Sequence, residues 1–157
     1  MIEDSRSASD TPKALVHYRL KAVMENVPGV TKHIARVAQE LGFGPHALYQ
    51  IELAIDEACA NVVEHAYPRE AQGEMEISCY LDTGAQGGQT LVIRVRDWGT
   101  GFDPGAVEKP DVDARLEDRG LGGLGLFLVE QVMDRVTFNF DPRQGNELLM
   151  FKRLDLD

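Results

Sequence analysis

PHALYQIELAIDEACANVVEHA, residues 45–66, decides how the rest of the chain is read. Ile51, Ile55, Ala58 and Val62 recur at spacings of four, three and four, the apolar stripe of an amphipathic helix. Pro45 suits a first helical turn, where a missing N–H removes no bond, and Tyr67-Pro68 stops the run. Glu57, Asn61 and Glu64 fall together on another face, because residues three and four apart are helix neighbours. Such a trio is ordinarily a solvated face. It also has a chemical reading. An Asn side-chain oxygen is a neutral ligand for Mg²⁺, which takes few protein ligands beside phosphates and water. Glu57, one turn earlier, is placed to accept a proton from an incoming hydroxyl. His65, one turn further on, either lines that site or is a partly buried residue at a helix end.

Working outward, Val30, Ile34, Val37 and Leu41 predict a preceding helix, opened by Asn26-Val27-Pro28-Gly29 and closed by Gly42 and Gly44. Residues 14–20 read as a strand with Val16, Tyr18 and Leu20 on one face. Residues 1–12, rich in Ser and Asp, are expected to form a disordered tail, leaving 13–157 as one domain. On the other side, Met75, Ile77, Cys79 and Leu81 alternate with Glu74, Glu76, Ser78 and Tyr80, and Leu91, Ile93 and Val95 with Val92, Arg94 and Arg96. The stretch Thr83–Gln89 between them reads as a hairpin loop. Residues 98–120 have no periodicity, and a connection of that length is uncommon unless functional. A short helix begins after Gly123, with Leu124, Phe127, Leu128 and Val132 on one side. Val136, Phe138 and Phe140, then Leu148, Met150 and Lys152, mark two closing strands linked by Asp141–Asn146. Strands following strands predict an α+β two-layer sandwich, a mixed, largely antiparallel sheet with helices on one face.

Composition narrows the function. Hydrophobic residues make up 43% and charged residues 27%, as in an ordinary soluble domain. A net charge of −10 argues against direct nucleic-acid binding, which depends on clustered Lys and Arg. No apolar run approaches the ~20 residues of a membrane span. The N-terminus lacks a signal peptide's apolar stretch, so the expected compartment is cytoplasmic. Cys59 and Cys79 have no metal-site spacing and read as small buried hydrophobes.

Two glycine-bearing segments complete the pattern. Asp97-Trp98-Gly99-Thr100-Gly101 ends a strand. Asp and Gly there make an ordinary turn. Equally, an ionised carboxylate accepts hydrogen bonds only and suits an exocyclic amine such as that of adenine, while glycines let backbone approach a ligand. Gly120-Leu121-Gly122-Gly123-Leu124-Gly125-Leu126 runs from loop into helix. Unpaired N–H groups and the positive end of the helix dipole cradle phosphate. No Gly-Lys-Ser/Thr makes it a P-loop, and no strand leads into it as a dinucleotide fingerprint requires. Close helix packing is its other reading.

In this order, ELAIDEACANVVEHAY, VRDWGTGF and GLGGLGLFLVEQVMD resemble the N, G1 and G2 boxes of the GHKL ATPase superfamily. Within it, the chain is similar to the stand-alone anti-sigma-factor serine/threonine kinases, roughly from Ala14 to Lys152. The resemblance implies the Bergerat fold of histidine-kinase-like ATPases and ATP or ADP with Mg²⁺ as ligands. It implies Asn61 as the Mg²⁺ ligand, Glu57 as general base and Asp97 as the reader of adenine, with Gly99, Gly101 and Phe102 lining its pocket. Gly120, Gly122, Gly123, Leu124, Gly125 and Leu126 would form the phosphate loop, His65 would border the site, and 102–119 would be a lid. Gly145-Asn146-Glu147 stands where these kinases often carry Gly-Thr-Thr.

The activity so implied is phosphorylation of a serine on a STAS-type anti-anti-sigma partner, together with sequestration of a sigma factor or similar regulator, and homodimers are common in the family. A non-catalytic ATP-binding partner-switching module would carry the same boxes. The catalytic half of a histidine kinase would need a phospho-accepting His, and no Arg-Thr-Pro-Leu follows His33. A structural domain that binds no nucleotide would leave three matched boxes unexplained.

Overall fold

The computed structural model describes residues 13–68, 72–99 and 121–154, with the backbone alone at 121–124. The expected tail 1–12 and the expected lid 102–119 lie outside the described residues. Strand β1 (Val16–Lys21) leads through a 3₁₀ turn (Met24–Asn26) into helix α1 (Val27–Leu41) and helix α2 (Pro45–Asn61). A π-helical turn (Val62–Ala66) follows, then β2 (Glu74–Thr83), β3 (Gln89–Asp97), α3 (Leu121–Val132), β4 (Arg135–Asp141) and β5 (Gly145–Arg153).

Among the described residues the sheet has the order β1-β2-β3-β5-β4, and every neighbouring pair is antiparallel. The "mixed" part of the sequence expectation therefore falls away. Period-two alternation turns one face of the sheet toward the helices. Register aligns Tyr18, Ile77, Val95, Leu148 and Phe138 in one cross-strand row, and Leu20, Met75, Asp97, Asn146 and Phe140 in the next. Against this face, α1 buries Val27, Val30, Ile34 and Ala38, while α2 buries Ile51, Ala54, Ile55 and Ala58. Val37 and Leu41, expected on the α1 stripe, are only partly buried, because the stripe drifts onto Ala35 and Ala38.

α1 ends in a left-handed Gly42 whose N–H reaches the carbonyls of Ala38 and Gln39. Lys152 is buried on the helix side of β5. Its ammonium donates to Gln50 Oε1 at 2.5 Å and to the Val132 carbonyl at the C-terminal end of α3 at 2.6 Å. One cation thus joins β5, α2 and α3.

The opposite face carries charge. Arg94 and Arg96 lie between Glu76 and Glu147 at 3.0–3.8 Å, and His17 adds a 2.9 Å contact to Glu76. Burial alone would raise the Glu76 pKa, but the His17 hydrogen bond and the Arg94 and Arg96 charges bring it below the usual value. Burial pushes the Cys59 thiol up to about 12 and Cys79 to about 11, so both are unreactive packing groups. His33 spends Nδ1 on the Tyr18 hydroxyl at 2.8 Å, a tie between β1 and α1.

Candidate functional site

Three elements bring the sequence-singled residues together at one end of the sheet. A small cavity is lined by Ala58 and Asn61 of α2, Val62 of the π turn, Val95 and Asp97 of β3, Phe138 of β4, and Asn146, Glu147 and Leu148 of β5. Asn61 and Asp97 thus share one cavity. Asn61 Oδ1 is buried and has no hydrogen-bond partner among the described residues. Buried polar atoms are nearly always paired, so this oxygen is set to receive something.

Asp97 is 7% exposed. Its Oδ1 accepts the Gly99 N–H at 2.9 Å and Asn146 Nδ2 at 2.8 Å; Oδ2 takes part in neither bond. Burial raises the Asp97 pKa above its ordinary value, partly offset by the Asn146 and Gly99 hydrogen bonds. The turn that carries Asp97 is clamped from two sides. The Tyr67 hydroxyl accepts the Trp98 N–H at 3.0 Å and donates to the Glu74 carbonyl at 2.5 Å. Gly99 packs so closely that an added Cβ would lie 1.9 Å from the Ala66 carbonyl oxygen. Only a glycine fits that approach.

Helix α3 packs beside α2, next to the cavity-lining stretch rather than in it. A Cβ on Gly125 would stand 2.9 Å from Glu57 Oε1, so the missing side chain leaves room for that carboxylate beside the glycine-bearing helix start. The helix starts at Leu121, earlier than the expected start after Gly123. Gly122, Gly123 and Gly125, anticipated in a phosphate loop, are accordingly helical residues. At the α3 N-terminus the first N–H groups lack intrahelical partners, an arrangement that suits an anion. Leu124 lies in the same first turn, and Leu126 is buried. Gly101, Phe102 and Gly120 lie outside the described residues.

Two other expectations change. The π turn after Asn61 carries more than 3.6 residues per turn and breaks the Glu57–Asn61–Glu64 face. Glu64 is exposed as a result. His65 is not among the residues lining the cavity; its Nε2 is buried and lacks a hydrogen bond among the described residues, 3.8 Å from Glu64 Oε1. The missed residue is Asn146. Sequence reading placed it in a link between strands. It is instead the second residue of β5 and pairs directly opposite Asp97. Its signal was the departure from Gly-Thr-Thr at the end of the pattern.

Gly145 precedes it with φ +95°, and a Cβ there would lie 2.5 Å from the Asp97 carbonyl oxygen. Gly145→Ala is expected to cost about 1–3 kcal/mol of unfolding free energy through strain and overpacking. Urea unfolding checks this, and an unchanged midpoint would mean the β4–β5 hairpin shifts freely.

Comparison with known proteins gives the family. The histidine kinase-like ATPase domain family matches residues 20–152. Serine-protein kinase RsbW of Listeria monocytogenes serovar 1/2a is 32% identical over 126 residues, 78% of this chain and 76% of that protein. Serine-protein kinase RsbW of Halalkalibacterium halodurans is 33% identical over 146 residues, 90% of this chain and 85% of that protein. Among solved structures, the RsbU and RsbW domains of Rv1364c from Mycobacterium tuberculosis align with a TM-score of 0.59 at 18% identity, over 88% of this chain and 32% of that one. The SiaB–SiaC complex from Pseudomonas aeruginosa aligns at 0.56 and 11% identity, over 98% of both chains. At those identities the structural likeness is one of fold. With a family match across most of its length and relatives above 30% identity, the chain belongs to the histidine kinase-like ATPase family and, within it, to the serine-protein kinases RsbW.

Proposed function

We propose that this chain, as one ATPase domain over residues 13–157, uses ATP to phosphorylate a serine on a STAS-type anti-anti-sigma partner and holds a sigma factor or similar regulator. The observation that carries the proposal is the shared cavity of Asn61 and Asp97, with Glu57 one turn before Asn61 and against Gly125. Asp97 Oδ2 accepts a hydrogen bond from the adenine amine, because an ionised carboxylate only accepts. The residues present fit Mg²⁺: Asn61 Oδ1 is a buried, neutral oxygen, unpaired among the described residues. When bound, the ion neutralises charge on the transferring phosphoryl group.

Glu57 takes the serine hydroxyl proton while that oxygen bonds to the γ-phosphorus and the bond to the ADP oxygen breaks. The phosphoserine adds about −1.5 to −2 charge. Facing a chain of net charge −10, it favours release of the phosphorylated partner. Among the described residues no helix is long and apolar enough to cross a membrane.

The test incubates the full chain with γ-labelled ATP, Mg²⁺ and a STAS-domain protein encoded beside it. Label on a partner serine is expected. Tight ATP binding with no transfer would replace the kinase with a non-catalytic partner-switching module, in which ATP only shapes a binding surface.

A further inference from the structure

Asn146 carries more than a strand position requires. Its amide nitrogen donates to Asp97 Oδ1 at 2.8 Å and to the Gly99 carbonyl at 2.9 Å. Both partners accept: Gly99 O is a backbone carbonyl, and Asp97 Oδ1 already receives the Gly99 N–H. The orientation of the amide is therefore dictated by chemistry, since its oxygen cannot face either group. Both N–H bonds are spent, and the amide cannot flip without losing them.

What remains is Asn146 Oδ1, buried and without a partner among the described residues, on a residue 7% exposed that lines the cavity with Asp97. A buried acceptor without a donor is costly and rare. Asp97 Oδ2 also takes no part in the Asn146 and Gly99 bonds. The cavity end thus offers two acceptors, and neither residue has a donor to spare. Its chemical complement is a group with two N–H bonds on one atom. The 6-amino group of adenine is such a group. The 6-keto oxygen of guanine or hypoxanthine would meet acceptors alone.

We propose that Asn146 is a specificity-determining residue, which with Asp97 reads the 6-amino group and rejects 6-keto purines. The inference rests on the ATP reading of the cavity. A hydroxyl at this position could rotate to donate to a keto oxygen. The amide, locked by Asp97 and Gly99, offers its oxygen only.

The experiment measures binding by calorimetry of ATP, inosine triphosphate and purine riboside triphosphate, which lacks the 6-amino group. It uses the full chain and the Asn146→Thr and Asn146→Ser variants, each of which replaces the amide with a hydroxyl whose single O–H donates either to Asp97 or to a keto oxygen. Circular dichroism checks their folding, and the smaller Ser variant reads the same ratios if Thr does not fold. Wild type is expected to prefer ATP over both analogues by roughly 100-fold, in the range open to a site built on hydrogen bonds. In the variants the ratio of ATP to inosine triphosphate affinity falls at least about fivefold, the scale of one neutral hydrogen bond. A ratio held within twofold of wild type overturns the inference and leaves Asn146 as a support for Asp97. Wild type that binds ATP and both analogues alike overturns it as well. Wild type that binds none of the three overturns the nucleotide reading itself, and the inference with it.

Discussion

Asp97→Asn weakens ATP binding by about 100-fold or more, roughly 2.8 kcal/mol, while the protein stays folded. The neutral amide keeps its oxygen for the Gly99 N–H and Asn146 Nδ2, the two bonds that Asp97 Oδ1 now accepts. An NH₂ group then replaces Oδ2, so a donor faces the purine amine where an acceptor stood. Stability should move the other way. Burial raises the Asp97 pKa above its unfolded value, so the folded chain disfavours the carboxylate. Linkage sets the sign: an acid with a raised folded pKa binds protons more tightly when folded. Its contribution to stability is greatest below the ordinary Asp value and is lost as pH rises through the raised one. The uncharged variant lacks that loss. Its melting temperature at neutral pH should equal or exceed that of wild type, and the slope of stability with pH just above the ordinary Asp value should shrink. Calorimetric titration and thermal melts across pH measure both. ATP affinity within threefold of wild type would remove Asp97 from the nucleotide site.

Glu57→Gln leaves ATP affinity within about threefold and slows phosphoryl transfer by roughly 10²–10⁴-fold, the usual contribution of a general base. The amide has the shape of the carboxylate, so the contact with Gly125 is kept and only the capacity to take a proton is lost. Single-turnover transfer of labelled phosphate to the STAS-domain partner separates the two effects, because binding and chemistry are read apart. Transfer within tenfold of wild type would mean that Glu57 is not the base and that positioning alone carries the rate.

These variants also divide what was legible from what was not. Alternation in Met75–Leu81 and Leu91–Val95 gave the central strands, because a sheet with one buried face prints a period of two into its residues. The stripe from Ile51 to Val62 gave α2 in the same way. The Asn61 and Asp97 segments were visible as patterns, and their shared cavity follows once helices cover one face of the sheet.

Local pattern could not reach three things. The π turn at Val62–Ala66 turned Glu64 out to solvent and left His65 off the cavity, and helical period alone assumes 3.6 residues per turn throughout. Gly122 and Gly123 entered α3 because the helix runs on through glycines that a propensity reading assigns to a loop. Asn146 met Asp97 through β3–β5 register, a pairing of residues 49 apart in the chain. By itself the sequence determined the elements, the face each buries and the chemical types at the site, because these are printed at short range. Only the tertiary structure decided which side chains share a hydrogen bond, because cross-strand register and the close approach of Gly99 to Ala66 depend on contacts that no local spacing records.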